Sequence, residues 1–436
     1  MDLMDETIKI SSDLIKINSV NPAFGGLGEM EKAEYVLTKL NEYIQKYNIK
    51  NYSIKQYNTK DDKDIIRPNI VAKFDFGKDR TLHIISHLDT VPEGDLNLWN
   101  TNPYEPVIKD GMIYGRGSED NHKAIVSSLL LLKMIFEDEN KDKIPKYNLC
   151  LIFVSDEECG SNYGIQHILK LDKNPKGFCK SANPKDSLRY EKEIFDENDL
   201  IIIPDFGTPD GNYIEIAEKN ILWIKFKIKG KQCHGSTPND GINTDVLMFN
   251  FANNLYNMLY TKYDKKDELF SPSYSTFEPT MIFNNVENVN TIPGYVELCF
   301  DCRILPDYDV DEVLKDIDEF IGDFKNNIDK YLKYYDKEEE KNISIEYEIL
   351  QKELSQKTPE NSEIVVELGD AIKKVLNKEP ILCGMGGGTV GAFLRAKNYD
   401  TVVWGIGEET AHQPNEHIKL EDLIKMAKTY YEILKE

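Results

Sequence analysis

The stretch Ile84-Ile85-Ser86-His87-Leu88-Asp89-Thr90-Val91-Pro92 is an apolar run that stops at a histidine, with an aspartate two residues further on. It reads as the end of a buried strand running into a loop. Side chains in a strand repeat every second residue, so His87 and Asp89 are expected on one face. His87 then offers one ring nitrogen to a metal while Asp89 accepts the proton on the other, which fixes the tautomer and the ring orientation. Alone, a His-x-Asp triplet is more often a surface pair or a satisfied core pair. The metal reading needs further ligands elsewhere in the chain.

Other apolar runs end in a similar way. Leu149–Val154 runs into Ser155-Asp156-Glu157-Glu158-Cys159-Gly160, and Leu200–Ile203 into Pro204-Asp205-Phe206-Gly207. Short continuous apolar runs suit central strands buried on both faces. Between them, Gly111-Met112-Ile113-Tyr114-Gly115-Arg116-Gly117-Ser118-Glu119-Asp120 is a Gly-punctuated turn leading into an apolar helix over 124–136. Helical spacing is also expected within 1–20, 28–47 and 162–170. Strands alternating with helices indicate an α/β domain with a largely parallel central sheet flanked by helices. Ligands in such sheets bind beyond the carboxyl ends of the strands. His87, Asp120, Glu157, Glu158 and Asp205 all fall there. A stretch rich in Lys, Asp and Pro, 172–199, reads as a surface insertion.

The period changes after residue 220. A strand over 221–228, a helix over 242–260, strands near 279–286 and 294–303, a helix over 309–330 and a strand over 342–349 follow one another. This order, β-α-β-β-α-β, is the ferredoxin-like α+β arrangement. Later come a helix over 363–376, a Gly-rich loop at 384–388, a helix over 389–397, a strand over 400–404 and a helix over 420–434. A chain of 436 residues is long for one core. The expected domains are a catalytic domain, first part, over 1–219, an inserted lid or dimerisation domain over 220–350, and the C-terminal part of the catalytic domain over 351–436.

Charge excludes some partners. The chain has 53 basic and 76 acidic residues, a net charge of −23, which argues against nucleic acid and anionic membrane surfaces. No apolar run reaches the ~18 residues that a membrane span needs. The start, Met1-Asp2-Leu3-Met4-Asp5-Glu6, is acidic, unlike the basic start of a secretory signal. Seven scattered cysteines do not form a disulfide framework. Cys299 and Cys302 have C-x-x-C spacing, but in a strand their thiols face opposite sides, so they read as packing residues. The expected location is the cytoplasm.

Late in the chain, Gly407-Glu408-Glu409-Thr410-Ala411-His412-Gln413-Pro414-Asn415-Glu416 offers a second histidine on a loop. One His plus carboxylates at each of two metals, with a carboxylate bridging, suits Zn²⁺, Co²⁺ or Mn²⁺. Each residue also has a plainer reading. Asp120 can cap the following helix, Glu157 and Glu158 can be a loop charge pair, and His412 one more loop histidine. Their coincidence at strand ends favours the metal.

The chain resembles the dinuclear zinc family containing acetylornithine deacetylase, succinyl-diaminopimelate desuccinylase, aminoacylase, glutamate carboxypeptidase and several di- and tripeptidases. The resemblance rests on Ser86–Pro92, Tyr114–Asp120, Ser155–Glu158, His234-Gly235-Ser236-Thr237-Pro238, Asn290-Thr291-Ile292-Pro293-Gly294 and Gly386-Gly387-Gly388-Thr389, in family order. It implies that Asp120 bridges two metals, that His87 and Asp205 complete one, and that Glu158 and His412 complete the other. Asp89 would orient His87, and Glu157 would be the general base for the metal-bridging water. His234 resembles the family histidine that reaches from the small domain, often of a partner subunit, to stabilise the oxyanion; a packing histidine at a strand end is the plainer reading. Arg303 resembles the family arginine that binds the substrate carboxylate, with Asn290, Gly387, Gly388 and Thr389 as further substrate contacts. A hinge is the plainer reading of the glycines. The implied protein is a homodimer with two divalent ions per chain, Zn²⁺ first.

Two departures bear on this. Asn121-His122-Lys123 stands where many relatives have Met- or Thr-Lys-Gly, and His122 is read as a surface residue at the helix N-terminus. Asp205 occupies a position where deacylases tend to have Glu and dipeptidase-like members Asp, which pulls the substrate toward short peptides. The expected activity is hydrolysis of the amide bond of a small N-acyl amino acid, of deacetylase or desuccinylase type, or of a short peptide. A non-catalytic binding or regulatory relative is the alternative, but no catalytic position is lost. A nucleotide site on Gly115-Arg116-Gly117 fails for want of G-x-G-x-x-G spacing.

Overall fold

The computed structural model describes residues 2–137, 145–171 and 194–435. The chain divides into two compact units. The larger comprises 1–216, 358–383 and 389–436, and the smaller 217–357 with 384–388. The small unit thus extends past the expected 220–350 by a few residues at either end and also takes the Gly-rich loop. No described helix is long and apolar enough to cross a membrane.

The larger unit is built on an eight-stranded sheet. Its four central strands, Asn148–Val154, Thr81–His87, Leu200–Ile203 and Thr401–Val403, run parallel. Outside them, Ile70–Phe74, Tyr52–Gln56 and Tyr213–Glu218 pair antiparallel, and Ile381–Met385 is the eighth strand, at the edge beside Tyr213–Glu218. The expected parallel sheet is therefore the middle of a mixed one. The apolar runs mark that middle, because a strand covered on both faces has no polar side to show. Every residue from Leu149 to Val154 is fully buried.

Register aligns the strand ends. His87 sits beside Val154, and Ile84 beside Ile202. The residues just past each strand, Asp89, Glu157, Glu158 and Asp205, therefore leave the sheet along one edge. Behind the sheet, helix His122–Glu137 is buried on all sides over its first three turns. It packs between helices Leu3–Ile15, Met30–Tyr47 and Leu420–Leu434.

Three elements depart from expectation. Residues 172–193 of the expected surface insertion lie outside the described residues, but its last part is core. Ile194 and Phe195 are buried, the Phe195 ring lies 4.9 Å from His83, and Asp199 meets His83 Nε2 at 2.8 Å. Strand Tyr213–Glu218 was not expected, because it carries glutamates inside. Glu215 is fully buried and receives a forked Arg395 guanidinium at 3.0 and 2.8 Å. The third is a three-stranded sheet of Val107–Lys109, Met112–Tyr114 and His417–Lys419, in which His417 pairs with Tyr114.

In the smaller unit, strands Asn220–Lys229, Thr276–Asn284, Tyr295–Ile304 and Ser344–Glu353 alternate with helices Thr244–Lys262 and Val310–Lys325 in β-α-β-β-α-β order. Counted in chain order, the strands stand 2-3-1-4 across the sheet, all antiparallel. Tyr295–Ile304 alternates between buried and partly exposed residues without a break, with Cys302 inside and Cys299 on the other face. Helix Val310–Lys325 buries Val313, Ile317, Ile321 and Phe324, one stripe at helical spacing. Strand Thr276–Asn284 lies at the sheet edge and exposes Met281 (71%), Ile282 (55%) and Phe283 (61%).

The Glu215–Arg395 pair yields a stability prediction. Arg395→Ala leaves a fully buried carboxylate without its charge partner and is expected to cost about 3–5 kcal/mol in urea unfolding. Glu215→Leu combined with Arg395→Met should recover most of the loss. A single-variant cost below about 1 kcal/mol would show that the pair is not what holds this strand.

Candidate metal centre

His87 is the last residue of its strand, and its ring is almost fully buried. Its Nε2 lies 2.9 Å from Asp120 Oδ1 and 3.4 Å from Asp205 Oδ1. On the other side of the ring, Nδ1 donates to the main-chain carbonyl of Asp89 at 3.0 Å, with the Asp89 carboxylate at 3.5 Å. The proton acceptor is thus first the backbone of Asp89. The strand ends at His87, so its alternation does not carry on to Asp89. The Asp89 carboxylate instead accepts from Asn21 Nδ2 at 2.7 Å and from the main-chain N–H groups of Glu157 and Glu158, both at 3.1 Å.

Those two glutamates follow a sharp turn. Asp156 has φ +66°, in the left-handed region that costs a non-glycine residue energy. Its carboxylate is held by Arg67 at 3.2 Å, Asn21 at 3.3 Å and the Tyr163 N–H at 3.1 Å. Arg67 is itself gripped by buried Glu29 at 3.0 and 2.5 Å. The turn sends Glu157 toward His87 and Asp205, and Glu158 toward His87 and Asp120. In each of these triplets the candidate ligand atoms lie within 4.8 Å of one another.

His412, on its loop at φ +61°, closes the second group. Its Nε2 is 3.1 Å from Asp120 Oδ2 and 3.1 Å from Glu158 Oε2. Asp120 therefore presents one oxygen to each histidine. Asp205 also accepts from Asn121 Nδ2 at 2.7 Å.

These donors fit divalent cations. With Nδ1–H engaged by the Asp89 carbonyl, the neutral His87 ring points a lone pair at two carboxylates, an arrangement that attracts only if a proton or a metal lies between. Glu158 Oε1 is buried with no hydrogen-bond partner among the described residues, a costly state for a carboxylate oxygen. Burial disfavours charge on His87, yet Asp205 and Asp120 outweigh it and hold its pKa well above the usual value. Hydrogen bonds to Asp120 and Glu158 push His412 up to about 11. Burial, then Asp120, raises Glu158 to about 7, and burial with Asp205 raises Glu157 well above its usual range. Burial also opposes charge on Asp120, but the two histidines overcome it and lower its pKa. A pull on protons of this strength is equally a pull on a metal ion.

His122 is not on the surface. It is buried, and its Nε2 lies 2.7 Å from Nζ of Lys32, another buried residue that burial pushes down to about 7. The reason is local: the helix it starts is enclosed from its first turn. Neighbouring Lys123 forms a buried ion pair with Glu119. Asn21, Arg67, Lys32 and Glu416 were not singled out from the sequence. Arg67 and Lys32 could have been noticed as charges beside buried apolar positions. Nothing local marks Asn21 or Glu416.

The remaining candidates are on the smaller unit, Thr389 excepted. His234 is exposed, with Nδ1 2.7 Å from Ser236 Oγ, and the Asn290 carbonyl accepts from the Gly235 N–H at 2.7 Å. Arg303 is forked onto Asp301 at 2.7 and 3.2 Å, donates to the Gly386 carbonyl at 3.1 Å, and lies 5.9 Å from the Trp223 ring. A side chain at Gly388 would meet Glu353 and Ile221 at 3.1 Å, so Gly388 answers to close packing; a Cβ at Gly387 would meet only Met385, at 4.0 Å. Thr389 belongs to the larger unit and caps helix Val390–Arg395, its hydroxyl accepting from Gly391 N–H at 3.0 Å.

Comparison with known proteins places the chain in a family. Residues 83–436 match peptidase family M20/M25/M40. An uncharacterized metallohydrolase of Methanocaldococcus jannaschii is 63% identical over 435 residues, covering 100% of both chains. A succinyl-diaminopimelate desuccinylase of a Sulfurovum species is 26% identical over 369 residues, 84% of this chain and 86% of that one. An M20 family metallo-carboxypeptidase of Sulfolobus solfataricus shares the fold, with a TM-score of 0.67 at 20% identity over 100% of this chain and 99% of that one. The chain is accordingly a hydrolase of amide or peptide bonds that depends on divalent metal ions. The family match begins within the strand that carries His87 and runs to the end of the chain, and this chain belongs to peptidase family M20/M25/M40.

Proposed function

We propose that the chain hydrolyses the amide bond of a small N-acyl amino acid or a short peptide. In this reading two divalent ions, Zn²⁺ by preference for nitrogen and carboxylate donors, are held by His87, Asp120 and Asp205 and by Asp120, Glu158 and His412. The observation that carries it is Asp120, whose two carboxylate oxygens face one histidine each. Such ions, when bound, polarise the scissile carbonyl and acidify the attacking water.

Glu157 takes the proton of that water and hands it to the leaving nitrogen. Burial with Asp205 already favours its protonated form, which suits a group that must accept a proton and then give it up. Asp89 fixes His87 through its carbonyl and fixes the Glu157-Glu158 turn through its carboxylate. Arg303, with Asn290, Gly387, Gly388 and Thr389, is the proposed contact for the substrate carboxylate, a task suited to a planar guanidinium. His234 is the proposed oxyanion donor. The exposed apolar edge strand Thr276–Asn284 supports a homodimer, since an unpaired edge of this kind is satisfied by a second copy across a two-fold axis. A cytoplasmic setting is in keeping with six cysteines free of disulfides among the described residues.

Three measurements test this. First, metal-free protein should take up two ions per chain and release protons as it does so, because His87 and His412 carry raised pKa values and must give up their protons to bind. Both histidines are protonated below their raised values, so apparent affinity should climb with pH through neutrality. Calorimetry in two buffers of different ionisation enthalpy reads the released protons. Stoichiometry near zero would sink the dinuclear reading.

Second, Glu157→Ala should keep the fold and both ions while turnover falls by roughly 10²–10⁴-fold. Turnover within a factor of about three of the wild type would remove the proton relay from Glu157.

Third, if His234 acts across a dimer, inactive His234→Ala and Glu157→Ala proteins should regain activity on mixing, since one site per mixed dimer has both groups. A fully active monomer by light scattering would exclude the arrangement.

A further inference from the structure

The carboxylate of Glu416 is completely buried, yet none of the roles above uses it. Its Oε1 accepts from the main-chain N–H groups of Glu119 at 2.8 Å and Asp120 at 2.9 Å. Its Oε2 accepts from the Gly117 N–H at 2.9 Å and from Nη1 of Arg116 at 2.7 Å. The Glu416 main-chain carbonyl accepts a fifth bond, from the Gly115 N–H at 3.0 Å. Three amides aimed at one point form a concave anion site, and here the chain fills it with its own carboxylate. Gly117 at φ +83° makes the curl possible, and the His122 ring leaves no room for a side chain there.

The two segments joined in this way each carry a candidate ligand. The turn ends in Asp120, and its very N–H is one of the three. Glu416 lies four residues after His412, whose ring is 55% exposed on a loop. His87 ends one central strand and Asp205 follows another, and their ladders set the positions of both. His412 has no ladder of its own. Its loop is fastened by Glu416, by Asn415, which bonds Asn100 N–H at 2.7 Å and the Leu98 carbonyl at 2.9 Å, and by the pairing of His417 with Tyr114. Arg116 holds the other side, donating to the Pro92 carbonyl at 3.2 Å and lying 5.2 Å from the Trp99 ring.

We propose that Glu416 is a positioning residue that fastens the His412 loop to the turn ending in Asp120, holds His412 at ligating distance, and so sets chiefly the affinity of the ion shared by Asp120, Glu158 and His412. The proposal rests on the two-ion reading above. A charge-assisted contact of this kind is stronger than a neutral one, so an amide in its place is a specific injury. Glu416→Gln turns one acceptor oxygen into an –NH₂ group facing N–H donors and leaves Arg116 without its charged partner.

The test is equilibrium dialysis of metal-free wild type and Glu416→Gln against Zn²⁺, with far-UV circular dichroism to confirm the fold. Loss of an orienting partner behind a ligand costs roughly 10–100-fold in metal affinity. The wild type should bind two ions. The variant should bind the first within a factor of about three and the second 10–100-fold more weakly, in line with that range. Equal weakening of both ions, or no weakening of either, overturns the proposal. A wild type that binds no ion would instead refute the two-ion reading, which separates the two failures. Should Glu416→Gln not fold, Arg116→Met removes the one side-chain donor to Glu416 and leaves its three main-chain donors in place, and the same inequality between the two ions decides the matter.

Discussion

Buried negative charge is the constraint on which this structure turns. Asp89, Asp120, Glu157, Glu158 and Asp205 gather past the ends of three strands, with the imidazoles of His87 and His412 among them. A carboxylate taken from water is stable only when it is paired, richly hydrogen-bonded or neutralised. The surrounding cations relieve the cluster only in part, because their direct contacts are with other groups. Arg67 belongs to Glu29 and Asp156, Arg116 to Glu416, and Lys123 to Glu119. Lys32 faces a histidine. The charge left over is the charge that metal ions would neutralise.

The sheet turns this chemistry into geometry. Parallel strands in register deliver their last residues to a common edge, and the three strands that lead to the candidate ligands lie side by side at its middle. Rigid placement matters because ligands that drift by an ångström lose much of their affinity and their catalytic value. A layer of polar contacts then fixes what the ladders cannot reach. Asn21 and Arg67 hold the Glu157-Glu158 turn, and the main-chain carbonyl of Asp89 sets the His87 ring. These residues come from stretches far apart in the sequence, so the centre is also a fastening point for the larger unit.

Much of this was legible in the sequence. An uninterrupted apolar run needs two covered faces, which makes Leu149–Val154 and Leu200–Ile203 central strands, and the residues after them cluster because the sheet is parallel there. Helices such as Val310–Lys325 were readable from a single apolar stripe. Contacts through space were not. Glu416 looks like any loop glutamate until the turn at Gly117 curls around it. Strand Tyr213–Glu218 was hidden by an inward glutamate whose partner lies 180 residues on. His122 departs from a surface reading because a polar residue at a helix start is usually solvated, and here the first three turns of the helix are enclosed. The two-residue spacing of His87 and Asp89 promises a carboxylate contact; the strand stops one step early, so the carbonyl takes the shorter contact at 3.0 Å and the carboxylate stands at 3.5 Å.

The placement of Trp223 has a practical consequence. The chain has three tryptophans, at 99, 223 and 404. Trp99 and Trp404 are buried in the larger unit, and Trp223 is the one in the smaller, partly open to solvent with its indole N–H on Asp301 at 3.1 Å. Asp301 also holds Arg303, so a guanidinium, a carboxylate and an indole are linked in one short chain of contacts. Indole emission depends on the polarity and charge around the ring. A carboxylate arriving at Arg303 must redistribute the charge that this indole senses. On the role proposed for Arg303, Trp223 would serve as a native optical reporter of ligand arrival, separable from the buried tryptophans by its access to aqueous quenchers.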